Sequence, residues 1–247
     1  MKFSLDAAWA DMQAIFKAHP EILLTIVGVF SFLPALAWGL AIPAPELKSD
    51  GINNYANLMA WWRGNAPWFI LRSLVELVGA ATIFAMFLTP ERLTVSGALR
   101  RAGTAIPMLV ITYLCAGMLQ VPGFMLLVIP GLYLMARTLL STAVVIAEGV
   151  VNPIAAITRS FALTAGNGWR ITGTLIVIFV VGIVISTATE IVFGSVLRIA
   201  LSAPIAAPIE HVIEAALATL INLAMTLLVV ATYRQLSSQL PATNSGI

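Results

Sequence analysis

IPGLYLMARTLLSTAVVIAEG, residues 129–149, is one membrane thickness of mostly apolar side chains, opened by a proline-glycine pair and interrupted by Arg137. About 20 residues at a helical rise of about 1.5 Å each cover the hydrocarbon core of a bilayer. The stretch therefore reads as a spanning helix, and its arginine needs a reason to be there, because an ionisable side chain in hydrocarbon costs several kcal/mol unless it is paired or wetted.

The rest of the chain supports a membrane reading. Of its 247 residues, 60% are hydrophobic and only 10% charged, and the mean hydropathy is +0.98. Soluble domains carry about a quarter charged residues. A net charge of +2, with no basic run interleaved with aromatics, gives no sign of a nucleic-acid partner. Cys115 is the single cysteine, so no disulfide can form within the chain. Asp6 and Asp11 precede the first apolar run, unlike the short basic start of a signal peptide, so that run reads as a retained helix.

Six apolar segments are long enough to cross, at roughly 21–43, 67–89, 104–129, 131–148, 171–196 and 211–235. The third and fourth are nearly continuous. A tight turn is expected at Pro130-Gly131, the alternative being a break at Pro122 with one segment re-entrant. The expected fold is all-α, a polytopic bundle of six transmembrane helices with amphipathic surface helices. It divides into an amphipathic segment 1–20, the bundle 21–235 and a disordered polar tail 236–247. An outer loop over 44–66 is expected to be too short for a domain.

With the N-terminus inside, Lys2, Lys17, Arg92, Arg100, Arg101, Arg159, Arg170 and Arg234 fall on the cytoplasmic side. Only Lys48, Arg63, Arg72 and Arg198 fall outside. That bias predicts both termini in the cytoplasm. Trp38, Trp61, Trp62 and Trp68 then mark the outer interface, and Trp9 and Trp169 the inner one. FSLDAAWADMQAIF, with Phe3, Leu5, Trp9, Met12 and Phe16, and NPIAAITRSFALTAG, capped by Asn152 and stopped at Gly166, read as cytoplasmic surface helices. TVSGALRRAG is a weaker third, which suggests a unit of surface helix plus hairpin used three times. Arg159 and Ser160 are expected to be exposed on the second.

The polar residues within the spans are the candidate site. They are Arg72, Glu76, Arg137, Glu190 and Glu214, with Gln120 and Asn222 as neutral company; Gln120, Glu190, His211 and Glu214 fall in the outer half with Glu76 and Arg137. Counting from the segment ends puts Glu76 about 13 Å and Arg137 about 9 Å from the outer edge. Three readings fit: an outward cavity for a lipid headgroup or other small charged ligand centred on Glu76 and Arg137, an internal Glu76–Arg137 ion pair that fixes packing, or snorkelling of Arg72, Glu190 and Glu214 to the headgroups. No H-E-x-x-H, P-loop or G-x-S-x-G motif occurs, so nothing calls for a metal or cofactor, and no catalytic constellation is found.

IPGLYLMAR, AEG and NPIAAITRSFALTAGNGWR resemble the membrane domain found with some bacterial glycerophosphoryl diester phosphodiesterases. The matching positions include Pro130, Gly131, Tyr133, Arg137, Glu148, Gly149, Ala156, Arg159, Ser160, Leu163, Thr164, Gly166 and Trp169. Ala165 and Gly168 stand where the family would carry a basic and an aromatic residue. The His-Arg-Gly segment and metal-binding carboxylates of the diesterase barrel are absent, so the resemblance implies no diesterase activity. It implies a multi-pass protein of the bacterial cytoplasmic membrane working near lipid-derived substrates, its partners being membrane lipid or another membrane protein. The function expected is non-catalytic binding or passage of a lipid or small amphiphile, the alternative being a scaffold that docks a partner on the surface helix at 152–166.

Overall fold

The computed structural model describes residues 3–45, 51–91 and 93–238, which are almost entirely α-helical. Eight helices follow one another: α1 (Leu5–Ala18), α2 (Pro20–Ala41), α3 (Gly51–Leu88), α4 (Val95–Leu126), α5 (Val128–Glu148), α6 (Pro153–Leu163), α7 (Gly168–Ala200) and α8 (Ala203–Ser237). Six of them, α2, α3, α4, α5, α7 and α8, are long and apolar enough to cross a membrane. The chain is a multi-pass membrane protein.

Local chemistry sets the ends. Ser4 Oγ accepts from the Ala7 amide at the start of α1, and Thr94 Oγ1 from that of Gly97 at the start of α4. Asn152 Oδ1 caps α6 through the amides of Ile154 and Ala155, as its position predicts. Gly149 and Gly166 adopt φ of +67° and +72°, the left-handed conformation in which a glycine ends a helix without a Cβ penalty. Within α2, residues Gly28–Phe32 form a π-helical turn. Pro34 follows at once; it has no N–H and its ring crowds the preceding turn, and a wider turn there accommodates both defects.

The interior is built on α8 and α5. About half of the apolar window of each is buried (56% and 50%), against 11% for α7, which lies at the periphery. Leu23, Ile83, Leu109, Leu140, Ile146, Leu175 and Leu228 are the large side chains at the centre. α1 lies across the end of the bundle where α8 finishes, with Ala8, Met12 and Ile15 buried and Leu5 and Trp9 exposed. That end is called the near end below, and the α7–α8 turn marks the far end.

The structure corrects four expectations. The break between the third and fourth apolar segments is at Leu127, in extended conformation (φ −165°, ψ 159°), not at Pro130-Gly131. Pro130 stands in the first turn of α5, where its missing N–H costs nothing, and Pro122 lies inside α4 without ending it. The expected loop over 44–66 is helical from Gly51 onward. TVSGALRRAG is not a separate surface helix but the first turns of α4, so among the described residues only α1 and α6 are short helices preceding a long one. Helix α8 runs through Leu236, which is buried, to Ser237; the rest of the expected tail, 239–247, lies outside the described residues.

Candidate functional site

Helices α2, α3, α7 and α8 enclose a cavity of 610 Å³ toward the far end. Its walls follow from helical periodicity. From α7 come Ser186, Thr189, Glu190, Phe193, Leu197 and Arg198, and from α8 Glu210, Ile213, Glu214, Leu217, Ala218, Ile221, Asn222 and Met225. Each set is a three-four stripe on one helix face. Glu210 to Met225 spans about 22 Å along α8. Arg198, Glu210 and Glu214 sit toward the α7–α8 turn, and the deeper part mixes Leu217, Ala218, Ile221 and Met225 with the polar Ser31 and Asn222.

The charges are ordered in pairs. Arg72 Nε donates to Glu76 Oε1 at 2.8 Å, one turn apart on α3, and the Arg72 guanidinium also sits 5.9 Å from the Trp38 ring centroid. Arg198 grips Glu210 with two bonds of 3.0 Å, tying α7 to α8 beside their turn. His211 Nδ1 is 3.4 Å from Glu214 Oε2. Deeper, Asn222 Nδ2 donates to Ser31 Oγ at 3.2 Å, across from the π-helical turn of α2. A second π-helical turn, Glu190–Gly194, carries Glu190 and Phe193 on the opposite wall. Widened turns of this kind recur where a helix is shaped around a function.

Four of the five sequence candidates, Arg72, Glu76, Glu190 and Glu214, line this one cavity. Arg137 does not. The expected Glu76–Arg137 pairing is corrected: Arg72 takes Glu76 from the same helix, and the Arg137 guanidinium lies 4.8 Å from the centroid of the Phe161 ring of α6. Arg198, Glu210 and Ser31 were missed as site residues. Arg198 and Glu210 are twelve apart across a two-residue turn, so reading 201–202 as that turn would have brought them together.

The motif positions from Tyr133 to Trp169 form a second cluster at the near end, while Pro130 and Gly131 lie beside the α4–α5 turn. Ser160 is fully buried: its hydroxyl donates to Arg137 O (2.8 Å) and accepts from the Leu140 amide (3.2 Å), bridging the bend in α5 at Leu139-Leu140. Thr164 Oγ1 donates to Ser160 O. The Tyr133 and Trp169 rings lie 4.8 Å apart. A Cβ on Gly168 would come within 2.8 Å of the Tyr133 ring and 3.0 Å of Arg137 Cδ, which accounts for glycine there. Gly131 packs against the Phe124 ring, and Gly123 against the Gly131 backbone, which lets α4 and α5 meet closely beside Leu127. Arg159 Nε is shared between both oxygens of Glu148 (3.0 and 3.1 Å), and Tyr233 donates to Glu148 Oε1 at 3.0 Å. Arg159 and Ser160 are therefore not the exposed pair expected of a docking surface; the Arg159 side chain is only 11% exposed. Near them, Asn167 Oδ1 accepts from the Phe3 amide and Arg170 donates to the Phe3 carbonyl, fastening α1 to the start of α7.

No family model, no curated protein and no solved structure matches the chain.

Proposed function

We propose that the chain is a non-catalytic module of the bacterial cytoplasmic membrane, with both termini in the cytoplasm, that binds or passes a lipid or small amphiphile. The 610 Å³ cavity carries this reading. Its volume is that of a small-molecule site, and a lining that combines charged pairs with apolar side chains suits a ligand that has both a polar head and a hydrocarbon part. The resemblance of 121–175 to the diesterase-associated membrane domain is in keeping with work near lipid-derived substrates.

Native mass spectrometry in mild detergent tests it, with wild type beside Ala218→Trp, which fills the deep wall, and Arg137→Ala, which lies away from the cavity. The expected result is a bound amphiphile in wild type and Arg137→Ala that Ala218→Trp loses. A bound mass that survives Ala218→Trp, or no bound mass in any form, overturns the proposal. A second reading, anchorage of a partner membrane protein, draws on the uncovered apolar side of α7, where Ile183 and Val184 are 64% and 60% exposed. A protein that co-purifies with wild type and is lost on substituting those residues would favour it.

A further inference from the structure

The turn between α4 and α5 has no polar residue. Met125, Leu126, Leu127, Val128 and Ile129 are 82%, 76%, 70%, 64% and 56% exposed, the most apolar exposed tip among the described residues. From Val121 to Ala136 the chain has no charge, and its one polar side chain is Tyr133. A turn reaching the water beyond a membrane would not be built this way. The α7–α8 turn at the far end carries Ser202 and is flanked by the Arg198–Glu210 pair.

Helix α7 serves as a ruler for the depth of this tip. Its start is level with Tyr133 and Arg137, since Gly168 touches both side chains and Trp169 stacks on Tyr133. From there α7 packs along the Val128–Thr138 part of α5. Tyr133 to Val128 is about 8 Å of helix. The buried residues of α7 near this contact are Gly168, Ile171, Thr172, Thr174 and Leu175, and from Ile176 to Phe193 no residue of α7 is buried. The α4–α5 tip thus ends where α7 loses its cover. Helix α7 continues for about 22 Å from Leu175 to Glu190 and about 38 Å to Ala200.

We infer that α4 and α5 do not cross the membrane: they form a hairpin that enters from the near face and turns back inside the bilayer, its Met125–Ile129 tip among the acyl chains of one leaflet. Irregular backbone in hydrocarbon is normally too costly, because unpaired N–H and C=O groups have no water there. Part of the backbone of this turn is paired. The Leu127 amide donates to Gly123 O (3.1 Å), the Gly131 amide donates to Leu127 O (3.3 Å), and Pro130 has no N–H. The close approach at Gly123 and Gly131 is what makes a one-residue turn feasible. The hairpin also accounts for Arg137. Level with Gly168, and so close to Arg170, which holds the Phe3 carbonyl of the N-terminal segment, Arg137 lies at the near interface and not in hydrocarbon. It needs no carboxylate there.

Thiol accessibility in sealed membrane vesicles tests this. Single cysteines are placed at Leu127 and at Ser202 in a Cys115→Ser background and offered a membrane-impermeant maleimide from either side. Leu127→Cys is expected to stay unlabelled from both sides and to label in denaturing detergent, while Ser202→Cys labels from the far side. Labelling of Leu127→Cys from the same side as Ser202→Cys means that the hairpin crosses, and labelling from the other side means that it stays out of the bilayer; either overturns the inference. A nitroxide on the same cysteine adds a depth. Collision with oxygen well above collision with a water-soluble nickel complex is expected; the reverse, or a signal buried from both by a protein neighbour, counts against lipid around the tip.

Discussion

Glu148 is the residue whose chemistry is most constrained by its surroundings. Its carboxylate holds Arg159 with both oxygens and receives the Tyr233 hydroxyl, and the Glu148 and Arg159 side chains are 13% and 11% exposed. Removing one partner of such a pair strands a charge, which costs about 3–5 kcal/mol when fully buried and somewhat less here, whereas replacing both together is far milder. Glu148→Gln and Arg159→Met are each expected to lower unfolding stability by about 2–4 kcal/mol, with the double variant closer to wild type than their sum. A denaturant-unfolding cycle in detergent checks this, and simple additivity would show that the two side chains do not act as a pair. Gly168 makes a steric claim at the same scale. Alanine there forces its methyl into the Tyr133 ring, and overpacking of that kind costs about 1–3 kcal/mol; Gly168→Ala/Tyr133→Leu is expected to recover most of that loss in the same unfolding measurement.

At the scale of the element, α1 is held by polar bonds as much as by its buried face. The Phe3 amide and carbonyl are bonded to Asn167 and Arg170, Ser4 to Gln235, and Asp11 to Arg234. Arg234 also donates to the Phe87 carbonyl at the end of α3. Asn167→Ala with Arg170→Met removes both bonds to Phe3 and leaves Met12 and Ile15 packed. Amide exchange over Ala8–Ile15 is then expected to quicken while α8 keeps its protection; unchanged exchange would mean that apolar packing alone holds α1. The sequence showed such elements well when the signal was local. The cap at Asn152, the stop at Gly166 and the apolar faces needed no tertiary knowledge. It did less well where neighbours decide. Pro130 was read as the turn because proline breaks helices in isolation, yet its place in a first turn depends on where Leu127 bends. A Glu76–Arg137 pair was one of the readings that similar depths allow, but Arg72 takes Glu76 from its own helix and Arg137 meets Phe161, and neither depth nor periodicity says which neighbour a side chain will meet. The site was half legible: polar residues in apolar helices marked Arg72, Glu76, Glu190 and Glu214, but a cavity exists only once four helices are arranged around it.

For the whole molecule, the uneven cover of α7 joins the two functional claims. Its first turns are clasped by α5, its last third meets α8 beside the Arg198–Glu210 pair, and between them no residue is buried from Ile176 to Phe193. Contact there is light, with Ile221 Cδ1 3.6 Å from where a Cβ on Gly182 would stand. A helix fixed at both ends and loosely packed in its middle can bow, and local stability is lowest where buried apolar contacts are fewest. The cavity begins in this middle, at Ser186, and continues behind it between α7 and α8. An amphiphile arriving in the bilayer would therefore meet the cavity through the α7–α8 gap without passing through water. Spin labels on cysteines at Ile183 and Leu220, both exposed, in a Cys115→Ser background report the width of that gap. The pulsed-EPR distance distribution is expected to be broad in the free protein and to narrow when a bound amphiphile fills the cavity, with Ala218→Trp already narrow. A distribution that is narrow from the start and indifferent to amphiphile would mean that α7 is rigid, and lateral entry would then lose its physical basis.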